Sequence, residues 1–319
     1  MSELRDFSLG DKLKIKGKIN TIGIVGCGSV GQGVTLLVAR YGMEVVFVDV
    51  SQERVDKIFV NLETQLDDEI NHWGITTSEK RLVLSRIKGT DNFADLKDCD
   101  IVIETISSRK KGTEIDLRKD VFRRIEEVVS DTTIISSNIS TLMISDLAEV
   151  LKKPDRAIGI HFIEPCNKTS IVEVVDSIKS SEVAHEKVMR FCKMINKKGI
   201  CLHESPGNIS TRMIVPIINE ACEILMEGVA SIPDIDLTMR VTLGHNVGPF
   251  ELADKIGLDK VMKYMENLYA EYGNAKYKTS PVIKRLVRAN YLGKYVGRGF
   301  YTYDGDKKVS NNITCAIIR

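Results

Sequence analysis

The chain has 319 residues, a length that predicts about two domains. Its 45 basic and 44 acidic residues leave a formal charge of +1, so no overall basic field draws in nucleic acid or an anionic lipid surface, and neither is expected as a partner. No apolar run approaches the roughly 18 residues of a membrane span, and the opening MSELRDFSLGDKLKIKGK lacks the apolar block of a secretion signal, which predicts a cytoplasmic protein.

Residues 1–18 read as a polar, Lys-rich extension. From Ile19 to Val48 the pattern predicts a complete βαβ unit: a strand over Ile19–Val25, a helix from about Val30 to Tyr41, and a second strand over Glu44–Val48. Apolar runs recur at Ile101–Ile103, Thr133–Ile135, Ala157–Ile160, Ile171–Val175 and Ile200–Leu202, with helical stretches between several of them. Between Ser181 and Lys197, apolar residues at 184, 188, 191, 192 and 195 trace one helix face. Strands alternating with helices predict an α/β fold, a Rossmann-type, doubly wound and mostly parallel sheet.

The alternation stops at the turn-forming His203-Glu-Ser-Pro-Gly207, and no strand is expected again until Gly299–Tyr303. The reading is therefore an extension at 1–18, a dinucleotide-binding domain at 19–204, a mainly helical domain at 205–303 and a tail of uncertain order at 304–319. Seven cysteines, at 27, 99, 166, 192, 201, 222 and 315, are odd in number and form no Cys-x-x-Cys pair, which argues for reduced thiols rather than a disulfide framework. His72, His185, His203 and His245 show no metal-ligand spacing, so no metal is expected, and Trp73 reads as a packing anchor.

Gly26-Cys-Gly28-Ser-Val30-Gly31 fits Gly-x-Gly-x-x-Gly directly after a strand and directly before a helix. Gly26 permits the tight turn, Gly28 lets backbone approach a pyrophosphate, and Gly31 lets helix and strand pack closely, with Val30 in the same loop. Asp49 closes the second strand eighteen residues after Gly31, where a carboxylate takes the adenosine ribose hydroxyls and repels a 2′-phosphate. NAD is thus favoured over NADP.

His161 stands at the end of an apolar strand, where ligands bind in open α/β sheets. A histidine there is either a packed or capping residue or, if it reaches a carboxylate, a tuned general base. Glu173, inside an apolar strand, needs a partner, and His161 is the nearest candidate.

With Ser137-Asn-Ile-Ser140, His161-Phe-Ile-Glu-Pro165, Val172-Glu173-Val174, Ser205-Pro-Gly-Asn-Ile-Ser-Thr-Arg212, Gly248-Pro-Phe-Glu-Leu252 and Gly297-Arg-Gly-Phe-Tyr301, the chain resembles the L-3-hydroxyacyl-CoA dehydrogenase family, which includes 3-hydroxybutyryl-CoA dehydrogenases. The resemblance spans about residues 19–303 in unbroken order. It implies that His161 takes the 3-hydroxyl proton while C3 passes hydride to the nicotinamide, that Glu173 orients it, and that Ser140 donates a hydrogen bond to the substrate oxygen. It also implies a homodimer built through the helical domain.

Departures from the family pattern matter for the substrate. The family's substrate-side Asn falls on Thr211, which keeps a hydroxyl but loses the amide. Another family Asn falls on Glu164, placing a carboxylate beside the reaction centre, either to bind a cationic or polyhydroxylated group or as a solvated loop acid. The stretch after Glu104 is about five residues longer than in the family, and its cofactor-side Glu and Lys fall on Glu114 and Arg118. The Lys before Gly-x-Gly-Phe-Tyr becomes Tyr295, with Lys294 one place away. Residues 61–72 hold Glu63, Asp67, Asp68 and Glu69 with no Lys or Arg, where the family offers basic residues to CoA. They form either an ordinary solvated face or a surface that turns free CoA away. The expected activity is therefore NAD-dependent oxidation of an L-3-hydroxyacyl thioester, or its reverse. Alternatives are a polar 3-hydroxyacyl group on a carrier protein, a free 3-hydroxy acid, or a catalytically silent NAD(H)-binding protein.

Overall fold

A computed structural model describes residues 19–72, 74–106, 114–305 and 307–310. The N-terminal extension, Trp73, the end of the tail and most of the lengthened stretch after Glu104 therefore lie outside the described residues. The chain forms two compact units, one running through Ile139 and again over Met143–Glu204, the other made of Ser140–Leu142 and the chain from Ser205 onward.

The first unit follows the order β1 (Thr21–Val25), α1 (Ser29–Arg40), β2 (Glu44–Val48), α2 (Gln52–Asn71), α3 (Thr77–Leu84), β3 (Ile87–Thr90), β4 (Ile101–Glu104), α4 (Glu114–Val128), β5 (Ile134–Ser137), α5 (Ile144–Ala148), β6 (Ala157–Phe162), β7 (Ile171–Asp176), α6 (Glu182–Met194) and β8 (Lys198–His203). Eight strands join one sheet in the order β3-β2-β1-β4-β5-β6-β7-β8. The first six are parallel, β7 runs antiparallel to β6, and β8 is parallel to β7. The sheet is thus Rossmann-type and mostly parallel, with one reversal that the apolar pattern does not encode.

Helices cover the sheet, so its central strands are mainly apolar: Ile22, Ile24, Phe47, Ile101, Ile103 and Ile160 are fully buried, and polar residues appear towards strand ends, as at Glu104 and His161. β3, Ile-Lys-Gly-Thr, was not expected as a strand; only its ends are buried and Lys88 faces solvent. Thr76 and Glu79 form a capping box that starts α3, the helix preceding that strand in the chain.

The second unit contains α7 (Ile209–Met226), α8 (Ile232–Leu243), α9 (Pro249–Ile256), α10 (Leu258–Tyr272), α11 (Pro281–Arg288), β9 (Thr302–Asp304) and β10 (Lys307–Ser310). The helical reading holds for this unit. Its end differs from the expected tail, because β10 pairs antiparallel with β9 although its sequence is mostly polar.

Two motifs of the sequence meet in this unit around buried carboxylates. Asp236 accepts from Phe250 N at 2.8 Å, Glu251 N at 3.1 Å and the Tyr301 hydroxyl at 2.9 Å. Asp254 accepts from Phe300 N at 2.8 Å, Tyr301 N at 2.9 Å and the Tyr303 hydroxyl at 3.0 Å. Gly299 is glycine because a Cβ there would lie 1.9 Å from Asp254 Oδ1. Burial pushes the Asp254 carboxyl up to about 6 and raises that of Asp236, against the hydrogen bonds that favour their charged forms.

Candidate functional site

The strand order reverses between β1 and β4, the point at which an open α/β sheet opens a crevice beyond its strand ends. The glycine turn occupies that point. Gly26 has φ +84°, a left-handed conformation that favours glycine. A Cβ on Gly31 would lie 2.6 Å from the Gly26 carbonyl oxygen and 2.7 Å from Thr105 Oγ1. Gly28 is the reverse case: no atom lies within 4 Å of where its Cβ would stand, and α1 begins there without a side-chain cap. The turn therefore presents open space before uncapped backbone N–H groups, which fits a pyrophosphate. Val30 lies in the first turn of α1, half-buried against the core.

Asp49 follows β2 and is tied to this turn, its Oδ2 accepting from Cys27 N at 3.0 Å and its Oδ1 from Val50 N at 2.9 Å. An ionised carboxylate has about four acceptor positions, so ribose hydroxyls still find partners on it. Sequence reasoning missed Arg54, whose Nε lies 3.6 Å from Asp49 Oδ1 with nearly half the side chain exposed. A cation beside this acid softens its repulsion of a 2′-phosphate.

On the other side of the turn, Glu104 closes β4 fully buried. It accepts from Arg118, the Ser137 hydroxyl and Ile106 N, while Arg118 also donates to the Ile106 carbonyl at 2.7 Å. Thr105 donates its hydroxyl to the Gly26 carbonyl. Residues 104–106 are thereby fixed as the wall of the glycine turn. The guanidinium of Arg118 is turned into this network, and Glu114 opens α4 with its side chain outside the described residues. Glu104 itself carries a legible signal: like Asp49, it is an acid placed directly after an apolar run, here Ile101–Ile103.

His161 lies next to last in β6, and the antiparallel register sets Glu173 of β7 directly opposite it. His161 Nδ1 and Glu173 Oε2 are 2.6 Å apart, with the residues 9% and 2% exposed. A carboxylate on Nδ1 fixes the tautomer in which Nε2 is the free acceptor, the arrangement of an oriented base. Next to it, Phe162 N donates to Asn138 Oδ1 at 2.7 Å, which ties the loop after β5 to the end of β6.

Glu164 is exposed, and the Ser29 hydroxyl from the start of α1 donates to it. The two line a cleft of about 210 Å³ together with Arg40, Gln65, Glu69 and Cys166. Two of the four acids in the 61–72 stretch are paired, Glu69 with Arg40 at 2.5 Å and Asp67 with Lys80 at 2.6 Å. The surface is therefore less negative than its sequence alone indicates.

In the second unit, Ser140 and Thr211 are both nearly buried, at 7% and 6% exposure. Asn208 N donates to the Ser140 carbonyl at 2.9 Å, which joins Ser140 to the start of α7, where Thr211 occupies the first turn.

A model described as 3-hydroxyacyl-CoA dehydrogenase, NAD binding domain, matches residues 21–205, and one for the C-terminal domain of the same enzyme matches residues 207–303. The chain belongs to the 3-hydroxyacyl-CoA dehydrogenase family. It is 35% identical over 283 residues to the 3-hydroxybutyryl-CoA dehydrogenase of Clostridioides difficile, covering 89% of this chain and 99% of that one. With the 3-hydroxybutyryl-CoA dehydrogenase of Bradyrhizobium diazoefficiens it shares 33% identity, covering 91% and 98% of the two chains. The crystal structure of (S)-3-hydroxybutyryl-CoA dehydrogenase from Ralstonia eutropha superposes with a TM-score of 0.81 at 38% identity, covering 90% of this chain and all of that one. The 3-hydroxyacyl-CoA dehydrogenase family thus supplies the cofactor, NAD, and the class, an oxidoreductase acting on a CH–OH group. Among the described residues no helix is long and apolar enough to cross a membrane, and no cluster of His, Cys, Asp and Glu is suited to a metal ion.

Proposed function

We propose that the protein oxidises an L-3-hydroxyacyl-CoA of short chain, of the 3-hydroxybutyryl type, to the 3-oxoacyl-CoA, or runs the reverse reaction. The observation that carries this reading is the 2.6 Å contact between His161 Nδ1 and Glu173 Oε2 beside the sheet's ligand crevice. NAD, when bound, accepts hydride from C3. His161 takes the 3-hydroxyl proton at Nε2, and Glu173 holds the ring and balances the imidazolium that forms. Ser140 and Thr211 donate hydrogen bonds to the substrate oxygens, as the family's pattern implies. The glycine turn and Asp49 hold the dinucleotide, and Arg118 serves that site through Glu104 by keeping residues 104–106 in place.

CoA is favoured over a carrier protein because Arg40 and Lys80 offset part of the acidic stretch. Glu164 sits at the substrate side, and a hydroxylated or cationic group near the thioester is the feature it would select. A homodimer through the second unit is supported by Leu237, Val241 and Leu243 on α8, all more than half exposed. The test is NADH formation from 3-hydroxybutyryl-CoA, set beside the same acyl group on pantetheine and on a carrier protein. Turnover on CoA at a kcat/KM of about 10⁴ M⁻¹s⁻¹ or better supports the reading. Turnover only on the carrier-bound group transfers it to that carrier, and no turnover on any of them leaves a silent NAD(H)-binding protein.

A further inference from the structure

A second histidine–carboxylate pair stands on the other face of β7. Asp176 ends that strand, and its Oδ2 lies 2.7 Å from Nδ1 of His185 in α6. The opposite ring nitrogen, Nε2, faces Sγ of Cys201 at 3.5 Å. β7 and β8 run parallel with Val174 beside Cys201 and Asp176 beside His203, so Asp176 and Cys201 project to one face of the sheet. Glu173, an odd number of residues from Asp176, projects to the other. β8 is the last strand of the sheet, and Cys201 on it is exposed.

The remaining described cysteines, 27, 99, 166, 192 and 222, are buried. Burial pushes the thiols of Cys27, Cys166 and Cys192 up to about 12, which keeps them protonated and inert. Cys201 alone among the described cysteines combines access to solvent with an imidazole at hydrogen-bond distance and a carboxylate behind that imidazole. A nucleophile, a base within reach and a third group that orients the base are the geometric requirements for an activated thiol. With Nδ1–H donated to Asp176, the neutral ring offers Nε2 as the acceptor for the thiol proton.

We propose that Cys201 is a reactive thiol and a modification site for low-molecular-weight disulfides, with His185 as its base and Asp176 orienting His185. His185 Nε2 takes the proton from Sγ, and the thiolate attacks one sulfur of the incoming disulfide. The new S–S bond forms as the old one breaks, and the released thiolate leaves with the electron pair and recovers the proton from the imidazolium. Cys201 sulfur is oxidised and the leaving sulfur reduced, so the disulfide is the only oxidant required. The site is separate from the dehydrogenase centre in residues and in sheet face.

The test is incubation of the full chain with oxidised glutathione near neutral pH, followed in time by peptide mass spectrometry. The mixed disulfide is expected at Cys201, ahead of every other cysteine including Cys315. Its rate should be about tenfold or more above that of free cysteine, and lowered about tenfold by His185→Gln or Asp176→Asn in chains whose thermal unfolding is unchanged. Modification of another cysteine first, a rate equal to that of free cysteine, or an unchanged rate in folded His185→Gln would overturn the proposal. Should either variant fail to fold, alkylation of the wild-type chain by iodoacetamide decides: a rate at Cys201 about tenfold above free cysteine supports it, and parity sinks it.

Discussion

In the first unit Glu173 lies opposite His161 near the crevice end of the sheet and engages one nitrogen of a ring whose other nitrogen remains for a ligand. In the second unit Asp254 is enclosed by Phe300 N, Tyr301 N and the Tyr303 hydroxyl, all of them parts of the fold itself. Glu173 belongs to a short motif shared with one family, and Asp254 stands two residues after another such motif and binds a third, so in the sequence the two acids have near-equal standing. What separates chemistry from architecture is the bonding capacity left over once the chain has folded. Glu173 orients a group that still has a vacancy, whereas Asp254 spends its oxygens on pinning a hairpin to a helix.

The comparison is broken most sharply at His161. His161→Ala should lower turnover about 10²- to 10⁴-fold and leave NADH affinity, measured by fluorescence titration, within about twofold. A comparable loss of NADH binding would mean that the pair supports the fold, as Asp254 does.

For Asp254 the expectation concerns stability and its pH dependence. Its folded carboxyl titrates near 6, above the ordinary 3.8 that applies in the unfolded chain. An acid raised in this way binds its proton more tightly when folded, so its contribution is complete below the unfolded value and is lost as pH rises through the folded one. The stability of the wild type relative to Asp254→Asn should fall between about pH 4 and pH 6, by on the order of 3 kcal/mol, and then level off. Denaturant unfolding of both chains across that range measures it. A gap that does not change with pH would show that burial does not hold this carboxyl up.

Glu173→Gln should reduce turnover by about tenfold, less than removal of the histidine, and should move the acidic limb of the pH–rate profile to lower pH. The direction follows from removing a negative charge beside an imidazolium. A profile that stays in place would argue against the pairing as a working unit.

The smallest effect is expected at the cofactor. NAD(H) should bind at least about tenfold more tightly than NADP(H), and Arg54→Ala should widen that preference a few-fold only, because the side chain is largely solvated and its field is screened. Titration of both cofactors against both chains reads this directly, and a narrowed ratio would assign Arg54 a different role.

Seven of the eight strands in the first unit are legible because each carries a run of apolar residues, largely buried in six of them and only half-buried in the edge strand β8. β3 escaped because only its two ends are buried, and β10 because a surface hairpin needs no apolar side chains. The glycine turn and Asp49 were legible because their chemistry is local, confined to one strand, one turn and one helix start. His161 and Glu173 were each visible, but their contact depends on β7 reversing direction, and no local pattern reports the direction of a neighbouring strand. The family pattern points Arg118 toward the cofactor, and the fold turns its guanidinium to Glu104. That choice depends on a buried charge fourteen positions away finding its nearest counter-ion.

The reversed strand has a consequence for how the protein tolerates sequence change. β7 carries Glu173 toward one side and Asp176 toward the other, three residues apart and so about 10 Å along the strand. Its register with β6 sets the His161 pairing, and the side on which Asp176 emerges from it sets the pairing with His185 of α6. Inserting or deleting a single residue inside β7 would present Val172 or Val174 to His161 and remove Asp176 from His185 in the same step, since a one-residue slip exchanges the two sides. The loop of residues 163–170 before it can change length without that penalty. Two chemistries that share no atom would thus be inherited, or lost, as a single trait.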